Sequence, residues 1–186
     1  GRGNPAGQTY YNEDNSFAVA RPILEASGIS PDTISIIQAM IRTTSPNGPS
    51  QALKDAMAAH EAGSPADIPA NLPELAPLLQ DARHCAMASL LTDADLFASA
   101  GAGMASNVMM TLRFREEEER ARGLVAAPIK NSRASITRGF LEYGIGDGFA
   151  SHAVRTAFNN SVSDLRKLYF GDGKPYPPDP AKPYTG

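Results

Sequence analysis

The sequence predicts an all-α fold, and three observations carry that expectation. Apolar residues recur at helical spacing in five or more segments. Several of these segments open on a capping residue or close on glycine. No stretch alternates apolar and polar residues with the period of two that marks a half-buried strand. With 186 residues, 42% of them apolar, the chain can bury a core of ordinary domain size. We expect a single helical domain over residues 1–170 and an extended, proline-rich tail over 171–186.

In chain order, residues 1–12 are rich in glycine and asparagine and read as loop. Asn15 or Ser16 is a candidate cap for a helix through "FAVARPILEAS", which Gly28 would end in the left-handed conformation. Pro22 would kink that helix or mark its true start. "SPDTISIIQAMIRTT" is a clear helix start, with Ser30 as cap, Pro31 first and Asp32 in the first turn. Ile34, Ile37 and Ile41 share a face, with Ile36 and Met40 beside them. "SPNGP" breaks the helix, and a short one follows over 50–61 with Leu53 and Met57 inward. "GSPADIPANLP" is loop. A long helix is expected from about Pro77 to Ala100, with Leu79, Ala86, Leu90, Asp93 and Phe97 at helical spacing. Asp93 thus lies near the apolar stripe, and Asp95 lies roughly 200° further round, near Leu91 and Ala88. Gly101 and Gly103 stop this helix, and others are expected over 105–122, 132–143 and 149–169. In the last, Val154, Phe158, Val162, Leu165 and Tyr169 recur at helical spacing. The tail "GDGKPYPPDPAKPYTG" reads as polyproline-like.

Charge and composition exclude several classes of partner. The formal net charge is −3 and the pI about 5.6, so the chain has no basic field for nucleic acid or an anionic membrane. No apolar run approaches the ~20 residues of a membrane span, and "GRGNPAGQTYYNEDN" has no signal-peptide core. Cys85 is the only cysteine, which excludes an internal disulfide and suits a reducing, cytoplasmic setting.

The residues capable of chemistry are few. The three histidines, His60, His84 and His152, form no HExxH, HxH or His-Asp motif. His84 and Asp95 share a helix face but stand roughly 16 Å apart along a continuous helix at 1.5 Å rise per residue. In "RFREEEERAR", Glu116–Arg120 and Glu118–Arg122 are i,i+4 pairs in the favourable order, so the run reads first as a solvated face. "GRGNPAG" has the composition of a phosphate loop without its lysine. The stretch "LLTDADLFASAG" sets Asp93 and Asp95 in an apolar helix, where a carboxylate needs a partner or a cation.

"NEDNSFAVARPILEASGIS", "ISIIQAMIRTTSP", "LLTDADLFASAG" and "FREEEE", in this order, resemble the later part of the HD superfamily of metal-dependent phosphohydrolases. The resemblance covers residues 10–120, and more loosely reaches 168. It implies an all-α, HD-like helical bundle. The family's first histidine and its His-Asp pair have no counterpart in this chain. The missing ligands would then lie on an upstream segment or a second chain, or the chain would be a degenerate, non-catalytic interaction module. By this resemblance Asp95 is the closer match to the family's last metal ligand, with Asp93 the alternative, for a divalent ion that could be magnesium, manganese, iron or zinc. Glu13 is the candidate for positioning water. Asn12, Asn15 and Thr44 are candidates for contacts to a small phosphorylated substrate, and Arg42 and Arg113 for pairing with its phosphate.

Overall fold

The computed structural model describes residues 10–45, 48–97, 102–122, 137–139, 141–142, 145–146 and 148–171. The described residues are helical or irregular, with no strand among them, so the all-α expectation holds. The helices are α1 (Tyr11–Ala26), α2 (Pro31–Arg42), α3 (Gly48–Glu61), α4 (Ala76–Leu79), α5 (Ala82–Leu96), α6 (Met104–Arg122) and α7 (His152–Phe170). A 3-10 turn, Pro73–Leu75, leads into α4. No described helix is long and apolar enough to cross a membrane. The expected tail and the "GRGNPAG" loop lie outside the described residues, as does most of the helix expected over 132–143, of which 137–139 are helical.

Packing divides the chain into two compact units, Asn4–Asp93 and Ala94–Gly186 with Gly1–Gly3. In the first, α1 and α2 pack together, and the core includes Phe17, Ile34, Met40, Leu53, Leu75, Leu78 and Leu79. In the second, Leu96, Leu141, Ile145, Phe149, Val162, Leu165 and Tyr169 form the core, with Val154 and Phe158 packed against it. The stripe read on the last helix is therefore the face it buries.

Several helix ends follow the local chemistry of the sequence. Ser30 caps α2 by accepting from the Thr33 N–H at 3.2 Å. After α1, Gly28 takes φ +75°, while the Gly28 and Ile29 N–H groups donate to the Glu25 and Leu24 carbonyls at 3.1 and 3.2 Å. This is the paired closure that a left-handed residue makes available. Ser151 caps α7 through the Val154 N–H.

The start of α1 differs from expectation. The helix begins at Tyr11, so Asn15 and Ser16 lie inside it and do not cap it. Their side chains donate back to the Tyr11 and Asn12 carbonyls at 2.7 and 2.9 Å, the bond short polar side chains make within a helix. Pro22 is accommodated inside the helix.

The long helix expected from Pro77 to Ala100 is two helices, because Asp81 stops one and caps the next. Its Oδ1 accepts from the Arg83 and His84 N–H groups at 2.8 and 3.0 Å, satisfying donors that a helix start leaves open. The restart also fixes which face of α5 is buried. Cys85, Ala88, Ser89, Thr92 and Leu96 turn inward, while Ala86 and Leu90 face solvent, with Leu90 59% exposed. The buried stripe thus runs one position away from the apolar series read from the sequence, and Asp93 lies beside it at 2% exposure.

Candidate functional site

Within the first unit, the head of α1, the end of α2 and Thr92 of α5 are drawn together by side chains. Arg42, at the C-terminal end of α2, reaches Asp14 in the first turns of α1. Its Nε donates to Asp14 Oδ1 at 2.9 Å and its Nη2 to Oδ2 at 3.2 Å. This is the two-pronged match of a guanidinium to a carboxylate. Gln38, one turn earlier on α2, adds a donor to Asp14 Oδ1 at 3.3 Å. The Arg42 guanidinium also lies 4.9 Å from the centre of the Tyr10 ring, within cation–π range. The hydroxyl of Tyr10 donates to Glu74 Oε1 at 2.7 Å. One residue beyond Arg42, the buried hydroxyl of Thr43 bonds that of Thr92 at 3.3 Å, which brings the Thr92–Asp93 turn of α5 to the end of α2.

The electrostatics follow from these contacts. Arg42 is held charged, its pKa raised by the hydrogen bond to Asp14 against the opposing effect of burial. Burial, then the hydrogen bond to Glu74 and its charge, push the Tyr10 phenol well above its ordinary value. Tyr10 is therefore a neutral donor throughout the physiological range. It is also the one described non-glycine residue with positive φ, at 65°, a conformation that only contacts of this kind hold in place for a bulky side chain.

The residues singled out in the sequence fall as follows. Asn12 and Asn15 are exposed and Glu13 half-buried in the first turns of α1, beside the Asp14 anchor. Arg42 stands at the centre of the linkage with its donor edge directed to Asp14. Thr44 is half-buried and donates to the Ile41 carbonyl at 2.8 Å. Asp93 is buried and engaged by a partner. Asp95 and Arg113 belong to the second unit, and both are exposed residues. Although Asp95 is exposed as a residue, protein around its carboxyl desolvates it and raises its pKa.

Among the described residues, no group of three His, Cys, Asp or Glu side chains is arranged to hold a metal ion. Asp93 and Asp95 are hard oxygen donors suited to a divalent cation, but by themselves they form only part of a ligand set. The histidines serve elsewhere. His60 Nε2 is 2.9 Å from the Leu79 carbonyl, His84 lies 3.8 Å from Asp81, and His152 heads α7 near Thr156. Of the charged run on α6, Glu116 and Arg120 pair at 3.7 Å with both side chains largely in solvent, as expected of a solvated face.

Tyr10, Asp14 and Glu74 were not among the sequence candidates. No local signal marks them, since Asp14 meets Arg42 across 28 residues and Tyr10 meets Glu74 across 64. No protein-family model, curated protein or solved structure matches the chain.

Proposed function

We propose that the chain is a phosphohydrolase of HD type, acting on a small phosphate ester, or the ligand-completing later segment of one. The observation that supports this reading is the side-chain linkage just described. Parts of three of the four stretches that carry the family resemblance, the "NED" turn, the end of the "ISIIQAMIRTT" helix and the Thr92–Asp93 pair of "LLTDADLFASAG", meet in the first unit through Asp14–Arg42 and Thr43–Thr92. In that reading, water displaces the alcohol from phosphorus. Within the first unit, Glu13 orients or deprotonates that water, while Asn12, Asn15 and Thr44 contact the substrate. A divalent ion supplies activated water in such enzymes. Asp95 is its ligand from this chain, with Asp93 the alternative, and histidines from an upstream segment or a second chain complete the set.

The test is hydrolysis of p-nitrophenyl phosphate by the whole protein under each of magnesium, manganese, iron and zinc. Asp95→Asn is expected to lower metal-dependent turnover by orders of magnitude. Unchanged turnover rejects Asp95 and passes the role to Asp93; absence of hydrolysis with every metal rejects the reading.

A second reading, a helical interaction module without catalysis, is favoured by one observation. α5 turns Met87, Leu90 and Leu91 outward at 59%, 59% and 42% exposure, an apolar side on a helix whose inward side is small and polar.

A further inference from the structure

α5 reverses the usual order of a surface helix, whose apolar stripe faces the core. Its inward positions carry Cys85, Ala88, Ser89 and Thr92, while Met87, Leu90 and Leu91 stand outward. The outward side consists of two rows of residues spaced four apart on the single helix Ala82–Leu96, so their relative placement follows from helix geometry alone. One row reads Arg83, Met87, Leu91, Asp95 and the other Ala82, Ala86, Leu90, Ala94, and every residue of both is exposed. Rows at this spacing are the ridges that pack into the grooves of a neighbouring helix. The alanines let that neighbour come close.

The first row also says which neighbour fits, because it ends in opposite charges. A two-fold axis midway between Met87 and Leu91 reverses the row. Arg83 then meets the partner's Asp95, Met87 meets the partner's Leu91, and each contact occurs twice, as a two-fold interface requires. Parallel pairing would set arginine against arginine and aspartate against aspartate, which is repulsive. The charged ends are available for this exchange. Arg83 makes no ion pair among the described residues. At Asp95, burial alone raises the pKa of the carboxyl, and no neighbouring charge offsets it. A guanidinium from a second copy supplies that charge.

We propose that the outward side of α5 binds a second copy of the chain, α5 against α5 in antiparallel order, with Met87, Leu90 and Leu91 covered at the centre and Arg83–Asp95 ion pairs at both ends. The inference deepens the interaction reading given above by naming the partner. It rests on that reading's exposed apolar side, not on an absence of catalysis. The pairing engages Asp95 as an anion, so a metal ion and the second copy compete for that carboxylate. A contact about 20 Å long and one helix wide is smaller than the ~1,200–2,000 Å² of a stable interface. The dimer is therefore reversible, and unfolding in dilute protein reports the single copy.

The experiment is sedimentation velocity of the whole protein in EDTA, from micromolar to millimolar concentration. A concentration-dependent equilibrium of monomer and dimer is expected. Leu91→Glu should leave a monomer throughout; its urea midpoint in dilute protein, close to that of the unsubstituted chain, checks that the fold persists. Arg83→Asp should weaken the dimer about tenfold or more by setting like charges opposite each other. Adding Asp95→Arg to it should restore the dimer, which neither damage to the fold nor unspecific adhesion predicts. A monomer at every concentration overturns the proposal, as does a dimer that Leu91→Glu leaves intact or one that the charge exchange fails to restore. Dimerisation in a protein that hydrolyses p-nitrophenyl phosphate rejects the non-catalytic reading and leaves the dimer standing. A monomer without hydrolysis rejects the dimer and leaves that reading standing.

Discussion

Arg42 holds the head of α1 to the end of α2. The family resemblance makes it a candidate for pairing with phosphate; in the structure its guanidinium spans Asp14 and lies over the Tyr10 ring. The side chain of Asp14 is 42% exposed and that of Arg42 21%, so solvent screens the pair. Arg42→Gln should therefore cost only about 1 kcal/mol in urea unfolding, with a comparably small coupling to Asp14→Asn. A loss several times larger would mean that the cluster organises the whole first unit. Asp95 behaves in the opposite sense. Its folded-state pKa is raised from 3.8 by burial. The folded state then holds its proton more tightly than the unfolded state, so stability is fully present below 3.8 and falls as pH rises through the folded value. Without metal, Asp95→Asn should unfold at a temperature equal to or above that of the unsubstituted protein at pH 7, and the difference should vanish in acid. A clear loss at pH 7 would show that the carboxylate is paired.

At the scale of elements, the start of α2 and the close of α1 are legible in the sequence, while the start of α1 and the break before α5 are not. Ser30 with Pro31, Gly28 and the stripe on α7 announce themselves in a few consecutive residues, because the physics that fixes them is local. The break at Asp81 leaves no periodic signal, because apolar spacing runs across it in "LLQDARHCAMASLL" and periodicity alone does not record a restart of phase. Burial then went to the small side of α5, whose Ala88, Ser89 and Thr92 allow close packing. Two substitutions separate these readings. Leu90→Gln should change stability by no more than ~0.5 kcal/mol, whereas Leu79→Ala, at a fully buried position, should cost about 2–5 kcal/mol. The Asp81 cap gives a pH signature. Its pKa is lowered, chiefly by the His84 N–H bond, so the contribution is present above the unfolded value of 3.8 and is lost as pH falls through the folded one. Asp81→Ala should flatten the acid limb of the stability profile, and an unaltered limb would remove Asp81 as a working cap.

At the scale of the whole molecule, the all-α class was readable because it needs only periodicity and caps, which are properties of short windows. The candidate site was readable only in part. "NED", Arg42 and "TDAD" drew attention as separate stretches, but the contacts that join them depend on tertiary packing: Tyr10 to Glu74, Asp14 to Arg42 and Thr43 to Thr92 lie 64, 28 and 49 residues apart. One further property follows from the corner between α4 and α5. Cys85 is fully buried and is the only cysteine in the chain. Its thiol donates to the Leu78 and Leu79 carbonyls at 3.4 and 3.5 Å, and burial pushes its pKa up to about 11. An aromatic disulfide reagent at pH 8 therefore meets almost no reactive thiolate until that corner opens. Labelling should be slow in native buffer and orders of magnitude faster in denaturant; prompt labelling of the folded protein would contradict the buried placement. The protein thus carries an internal stopwatch. The rate at which a single sulfur colours the solution times the opening of the α4–α5 corner, without any probe having to be introduced.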